Sequence, residues 1–177
     1  MAGIPGAGSM GDIMVKISLP FCLMTVLACS TSAWAEYIAR VITVHEGDRL
    51  TVYHDGRTET IHLQGIDCPE LKQPYGKRAK QVMQAYVGAR EVVVRSVQRD
   101  RQGRVVAEVL LMDGRNVALE LVKEGLAWSR GGLNEGPILA DEEELARASG
   151  KGLWADPDPV PPWKWKVPKK AGRKFSN

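Results

Sequence analysis

The sequence predicts an α+β, mainly β domain closed as a five-stranded barrel with three helices. Three observations carry this. Short β-branched runs of alternating polarity recur between Gly-containing turns. One stretch with helical spacing falls between the third and fourth of these runs. The other helical stretches follow the fifth. A helix between the third and fourth strands is the arrangement of the OB-fold barrel.

The elements follow in order. Arg40 to His45 alternates and is β-branched, so it reads as a strand, punctuated by Glu46-Gly47. Arg49 to His54 is the second strand, with Leu50 and Val52 on one face. Asp55-Gly56 signals a tight hairpin into a third strand, Arg57 to Gln64. Gly65 to Gln73 reads as a loop. Tyr75 to Val87 has helical spacing, with Ala79, Val82, Met83 and Tyr86 on one side and Gly88 as the stop. Arg90 to Gln98 and Arg104 to Met112 are the fourth and fifth strands. Asn116 to Glu124 reads as a short helix ended by Gly125. Asp141 to Ser149 reads as a third helix, whose opening acids suit the helix dipole.

The chain has 177 residues, enough for one domain with its own core. A formal net charge of +3 is compatible with a nucleic-acid partner without demanding one. Residues 1–35 read as a signal segment. Lys16 precedes an apolar run from Ile17 to Ala28, and Ala33-Trp34-Ala35 offers small residues for cleavage after Ala35. Met14, just ahead of Lys16, is a candidate true start. The run is too short to cross a membrane. Cleavage would release a secreted or periplasmic protein with no stable membrane association. The alternative is a lipoprotein anchored at Cys29, because Val26-Leu27-Ala28-Cys29 resembles a lipobox. After cleavage Cys68 stands alone, which excludes an intramolecular disulfide.

Residues 36–155 form the expected domain, and 156–177 a tail. Asp156 to Pro162 is Pro-rich and reads as extended. Trp163, Lys164, Trp165, Lys166, Lys169 and Lys170 then interleave aromatics with positive charge. Such a tail is either solvated or an arm for nucleic acid, with the indoles as stacking platforms. Trp163 is also placed to pack back on the domain.

The chemistry concentrates in Glu46-Gly47-Asp48, Gly65-Ile66-Asp67-Cys68-Pro69-Glu70 and Asp100-Arg101-Gln102-Gly103-Arg104. Asp48 and Asp67 are hard oxygen donors suited to a divalent cation. Glu70 suits activation of a water, and Arg104 a bidentate grip on phosphate. Each has a plainer reading alone: turn geometry for Asp48, a loop cap for Asp67, a surface carboxylate for Glu70. His45, His54 and His62 are too dispersed for a zinc site.

These motifs, with Gln73-Pro74-Tyr75-Gly76 and Leu121-Val122 followed by Gly125-Leu126-Ala127-Trp128, resemble the staphylococcal nuclease, or thermonuclease, family from about Tyr37 to Trp154. The resemblance implies Ca²⁺-dependent hydrolysis of DNA and RNA, single strands preferred, by a monomer. It implies Asp48 and Asp67 as metal ligands, with Cys68 contributing its backbone carbonyl. It makes Glu70 the general base and Arg104 the arginine on the scissile phosphate. Arg101, Arg130, Trp163, Trp165, Lys169 and Lys170 are then candidate nucleic-acid contacts. The family's second phosphate arginine falls at His62, five residues before Asp67. Imidazole is shorter and lacks the guanidinium fork. The expectation is a weakened clamp and reduced activity; a phosphate and neighbouring carboxylates would favour a protonated His62, and Ca²⁺ would oppose it. Arg49 and Arg57 are candidate substitutes, although alternation along the second strand sets Arg49 on the face opposite Asp48. The alternative function is an OB-fold module of nuclease descent that binds nucleic acid and cleaves weakly.

Overall fold

The computed structural model describes residues 36–130 and 136–166. The signal segment, Lys169 and Lys170 lie outside the described residues. Strands β1 (Tyr37–Glu46), β2 (Arg49–His54), β3 (Arg57–Leu63), β5 (Glu91–Arg99) and β6 (Val105–Leu111) close a barrel in the order β1-β2-β3-β6-β5. Closure needs one parallel contact: β3 runs beside β6, with Ile61, His62 and Leu63 opposite Val105, Val106 and Ala107. Two short strands, β4 (Ile66–Asp67) and β7 (Trp128–Ser129), pair outside the barrel.

Alternation explains the interior. Leu50 and Val52 of β2, Ile61 and Leu63 of β3, Val92 and Val94 of β5 and Val105, Ala107 and Val109 of β6 all point inward and are buried. Burying each large aliphatic side chain contributes roughly 1.5–3 kcal/mol. β1 is longer than its β-branched run predicts because Tyr37–Arg40 pairs with β5 while Arg40–Glu46 pairs with β2. Register shifts at Val41/Thr43 and Val44/Glu46 let one strand serve both neighbours. Asp55 and Gly56 both take positive φ, 46° and 77°, as the tight hairpin requires.

Helix α1 (Gly76–Val87) packs on the barrel through Ala79, Met83 and Val87. Val82 and Tyr86, expected on the same face, are half-buried beside it. Gly88 ends the helix for a different reason than a left-handed turn. Its φ is −57°, and Ala89 carries the positive φ of 56°. Gly88 is needed because a Cβ there would lie 2.5 Å from the Gln84 carbonyl oxygen. Helix α2 (Val117–Lys123) is capped by the Asn116 side chain, which accepts from the Leu119 N–H. Helix α3 spans Gly136–Ala148, so it starts five residues before the expected Asp141. The acids therefore miss the first turn and its free N–H groups. Glu143 instead accepts from the Ser129 N–H at 2.6 Å and pairs with Arg147. Arg147 in turn lies 3.8 Å over the Trp154 ring and 4.8 Å over Trp128.

Gly125 closes α2 with a φ of 65° and passes its carbonyl to the Leu153 N–H at 2.9 Å. A Cβ here would sit 2.2 Å from the Lys151 carbonyl oxygen. Left-handed strain costs roughly 1–2 kcal/mol for a non-glycine residue, and the backbone clash adds to it. Gly125→Ala is expected to lose more than about 2 kcal/mol, measured as a lower urea midpoint at constant slope.

Candidate active site

The turn Glu46-Gly47-Asp48 joins β1 to β2 and packs directly on the rest of the site. The Asp48 carbonyl accepts from Leu63 N–H at 2.8 Å, which fastens the turn to the end of β3. A Cβ on Gly47 would lie 2.7 Å from both Ala79 Cβ and Cys68 Sγ, so only glycine permits this approach. The Asp48 carboxylate accepts from the Cys68 N–H at 3.0 Å. The Cys68 thiol belongs to the hydrophobic core, and burial pushes its pKa well up, with Asp48, Asp67 and Glu46 adding to the effect. In the metal-free protein the thiol is therefore protonated, and a hard cation would prefer oxygen to it.

Asp67 sits on β4, opposite Trp128 of β7. Its carboxylate lies within hydrogen-bond reach of Asp48 and accepts from Arg130 Nη1 at 2.9 Å. Burial pushes Asp48 up to about 6, opposed by the Cys68 N–H and reinforced by Asp67 and Glu46. Asp67 is also raised by burial, with Arg130 opposing. Two adjacent carboxylates that both resist ionisation lack positive charge, and their all-oxygen donor set fits a hard divalent cation. Among the described residues no three His, Cys, Asp or Glu side chains converge on one metal position. A cation here would take two carboxylates and complete its shell with backbone carbonyl and water.

Glu70 follows in a loop braced by Gln73. The Gln73 Oε1 accepts from Glu70 N–H at 3.2 Å, and Gln73 N–H returns to the Glu70 carbonyl at 2.8 Å. Gly76 lies so close that a Cβ would meet the Glu70 carbonyl oxygen at 1.9 Å. Glu70 is exposed, and its pKa is raised by desolvation, then by Glu46 and Asp67. That direction moves a general base toward working pH.

The β5–β6 turn builds the phosphate end. Asp100 accepts from the N–H groups of Gln102 and Arg104, both at 2.9 Å, and from Arg104 Nε at 2.6 Å. Against some desolvation, these bonds hold the Asp100 carboxyl below its usual range. Gly103 makes the turn with a φ of 76°. The guanidinium is thus gripped by its inner nitrogen. Among the described residues, neither terminal nitrogen has a hydrogen-bond partner. Arg101 is exposed at the tip of the same turn.

His62 differs from expectation. Burial lowers its pKa first, then Arg104 and Arg49, and together these outweigh Asp100 and Glu46. In the ligand-free protein this direction favours the neutral ring near neutral pH. Arg49, one of the candidate substitutes, lies beside position 62. Arg49 is the direct cross-strand partner of His62, so the two share one face, and its charge also reaches Glu70. Glu46, not singled out as a site residue in the sequence, pairs with Arg49 at 3.0 Å and acts on Asp48, His62 and Glu70. Its position in the Gly-Asp turn motif was the available signal.

Arg130 lies 5.4 Å from the Trp163 ring centroid, and Trp163 packs edge-on against Trp128 at 5.8 Å. Trp165 lines two neighbouring surface hollows, one with Glu46, Glu70 and Lys72 and the other with Lys72, Lys77 and Arg78. Gln73 Nε2 donates to the Val160 carbonyl. Val160, Trp163 and Trp165 thus touch the domain, with Pro162 and Trp165 beside Glu70, while residues 156–158 and Lys164 are exposed.

The buried charge of Asp48 has a measurable consequence. Its folded pKa, about 6, exceeds the ordinary 3.8, so the stability linked to its bound proton is present below about pH 4 and is lost as pH rises through 6. In metal-free protein at pH 8 the ionised form costs on the order of 2–3 kcal/mol. Asp48→Asn keeps the acceptor for Cys68 N–H and removes the charge. In chelator at pH 8 it should melt several degrees above the natural chain, and at pH 4 the difference should vanish, both read by calorimetry.

The chain matches the family of staphylococcal nuclease homologues over residues 60–156. It is 39% identical over 132 residues to an Escherichia coli protein described as an uncharacterized endonuclease, covering 75% of this chain and 86% of that one. It is 32% identical over 161 residues to a Haemophilus influenzae protein of the same description, covering 90% of each. A micrococcal nuclease of Shigella flexneri is 33% identical over 151 residues, covering 80% of this chain and 87% of its own. With the closed barrel and the carboxylate–arginine rim in place, these likenesses show that the chain belongs to the staphylococcal nuclease family.

Proposed function

We propose that this protein is an exported, calcium-dependent endonuclease that hydrolyses phosphodiester bonds in DNA and RNA, preferring single strands and acting as a monomer. The carrying observation is the Asp48–Asp67 carboxylate pair with Glu70 and Arg104 on the same rim of the barrel. Relatives named as endonucleases and as a micrococcal nuclease support the activity.

Asp48, Asp67 and the Cys68 backbone carbonyl would hold the calcium ion. When bound, the ion neutralises phosphate charge and favours attack by water. Glu70 takes a proton from that water as its oxygen attacks phosphorus, and the opposite P–O ester bond breaks. Arg104 presents its two terminal nitrogens to the phosphate oxygens while Asp100 fixes its inner one. Arg130 pairs with Asp67 at 2.9 Å, and would be free to meet a neighbouring phosphate if a cation took over that carboxylate. Trp163 and Trp165 offer faces for unpaired bases, and Lys169 and Lys170 extend the positive arm. Neutral His62 supplies no charge, so the rate rests on Arg104 and on whatever second cation the rim provides.

Digestion of plasmid and RNA with Ca²⁺ and with chelator tests this reading. Cleavage should require Ca²⁺, and Glu70→Ala and Arg104→Ala should each lower the rate roughly a hundredfold or more. Saturable binding without cleavage by the natural chain would favour the alternative of a binding module.

Export is the second part of the proposal, carried by the apolar run and Ala33-Trp34-Ala35. Mass spectrometry of protein from the native host should find Glu36 at the N-terminus. An acylated Cys29 would replace this reading with the lipoprotein one.

A further inference from the structure

Position 62 leaves the rim one charge short, and the strand pairing shows where that charge lies. Arg49 opens β2 directly opposite His62 of β3. His62 pairs in turn with Val106 of β6, and Arg104 precedes Val106 by two residues. Residues two apart on an extended chain share a side. Arg49, His62 and Arg104 therefore form a row on one outer face, running across three strands. Arg49 and Arg104 both act on His62 from either side of it. Arg104 reaches on to Asp67, and Arg49 reaches on to Glu70.

The Arg49 side chain is held in place. Its Nη2 meets Glu46 Oε2 at 3.0 Å, while its Nε is buried without a hydrogen-bond partner. A buried guanidinium N–H left unmatched is costly unless something binds there. The side chain as a whole remains 38% exposed, enough for a ligand to reach it. The arrangement repeats that of Arg104, an arginine steadied by one carboxylate with nitrogens to spare. Two such donors on one face can share the charge of a single phosphate, and the residue between them is the shorter imidazole.

We propose that Arg49 is a catalytic residue of this protein, supplying the second guanidinium of the phosphate site from β2 in place of the side chain at position 62. Glu46 positions it. The assignment rests on the nuclease reading above. The site then has two full charges, and neutral His62 does not by itself weaken it.

The test is the Ca²⁺-dependent cleavage of a fluorophore-labelled single-stranded oligonucleotide. Arg49→Ala should lower kcat/KM about a hundredfold, the usual loss for one charge-assisted contact in the transition state. Adding His62→Arg to that variant should restore at least about tenfold, because it returns a guanidinium to the adjacent position on the same face. Arg49→Lys should fall between, keeping charge without the fork. A value for Arg49→Ala within about threefold of the natural chain overturns the proposal. So does a loss that His62→Arg cannot recover, since that marks Arg49 as a structural partner of Glu46. If the natural chain cleaves nothing, the nuclease reading fails, and Arg49 is judged by binding of the same oligonucleotide in Ca²⁺-free buffer. Arg49→Ala should then flatten the log–log salt dependence by about 0.7, the value of one phosphate contact on a single strand. An unchanged slope overturns the assignment.

Discussion

The hydrogen bond from Cys68 N–H to the Asp48 carboxylate holds this rim together. It ties the β1–β2 turn to the loop after β4, two segments that the barrel alone would leave separate. It depends on Gly47, whose missing side chain lets the turn press against Ala79 and Cys68. Asp67 is thereby set beside Asp48, and Glu70 follows two residues after Cys68. The same bond explains why a carboxylate is tolerated in so closed a place. It lowers the cost of burial without removing it, and the remainder is an unmet demand for positive charge.

Three arginines facing the rim are each tethered to an acid. Arg104 rests on Asp100, Arg49 on Glu46 and Arg130 on Asp67. The tethers differ in kind. Asp100 is bound to the backbone of its own turn, so its grip on Arg104 is built into the hairpin. Arg130 follows β7 and reaches across to Asp67 on the paired strand β4, where it also lies against Trp163, with no backbone bond of its own turn among the described residues to fix the carboxylate. Exposed pairs of this kind contribute little stability, which suits groups whose purpose is orientation.

Much of this was legible in the sequence. The bounds of β2, the Asp55-Gly56 hairpin and the helix between β3 and β5 follow from alternation and turn chemistry, which act locally. Asp48, Asp67, Glu70 and Arg104 were visible as motif positions. What escaped was non-local. The start of α3 at Gly136 was obscured because the acids from Asp141 onward resembled a first turn, yet Glu143 is used by β7. Counting along one strand weighed against Arg49, whereas the neighbouring strand decides what lies beside it. The protonation of His62 was judged from nearby acids, and burial with two arginines outweighed them. The docking of Val160 to Trp165 has no signature in a run of prolines.

Gln73 is 7% exposed and binds in two directions, to the Glu70 backbone three residues back and to the Val160 carbonyl 87 residues on. Its amide is fully engaged only when both ends of that span are present. During synthesis the barrel strands and α1 emerge well before Val160 does. The loop carrying Glu70 therefore gains its last anchor near the end of translation, and the order of the chain itself delays completion of the rim until the rest of the molecule exists.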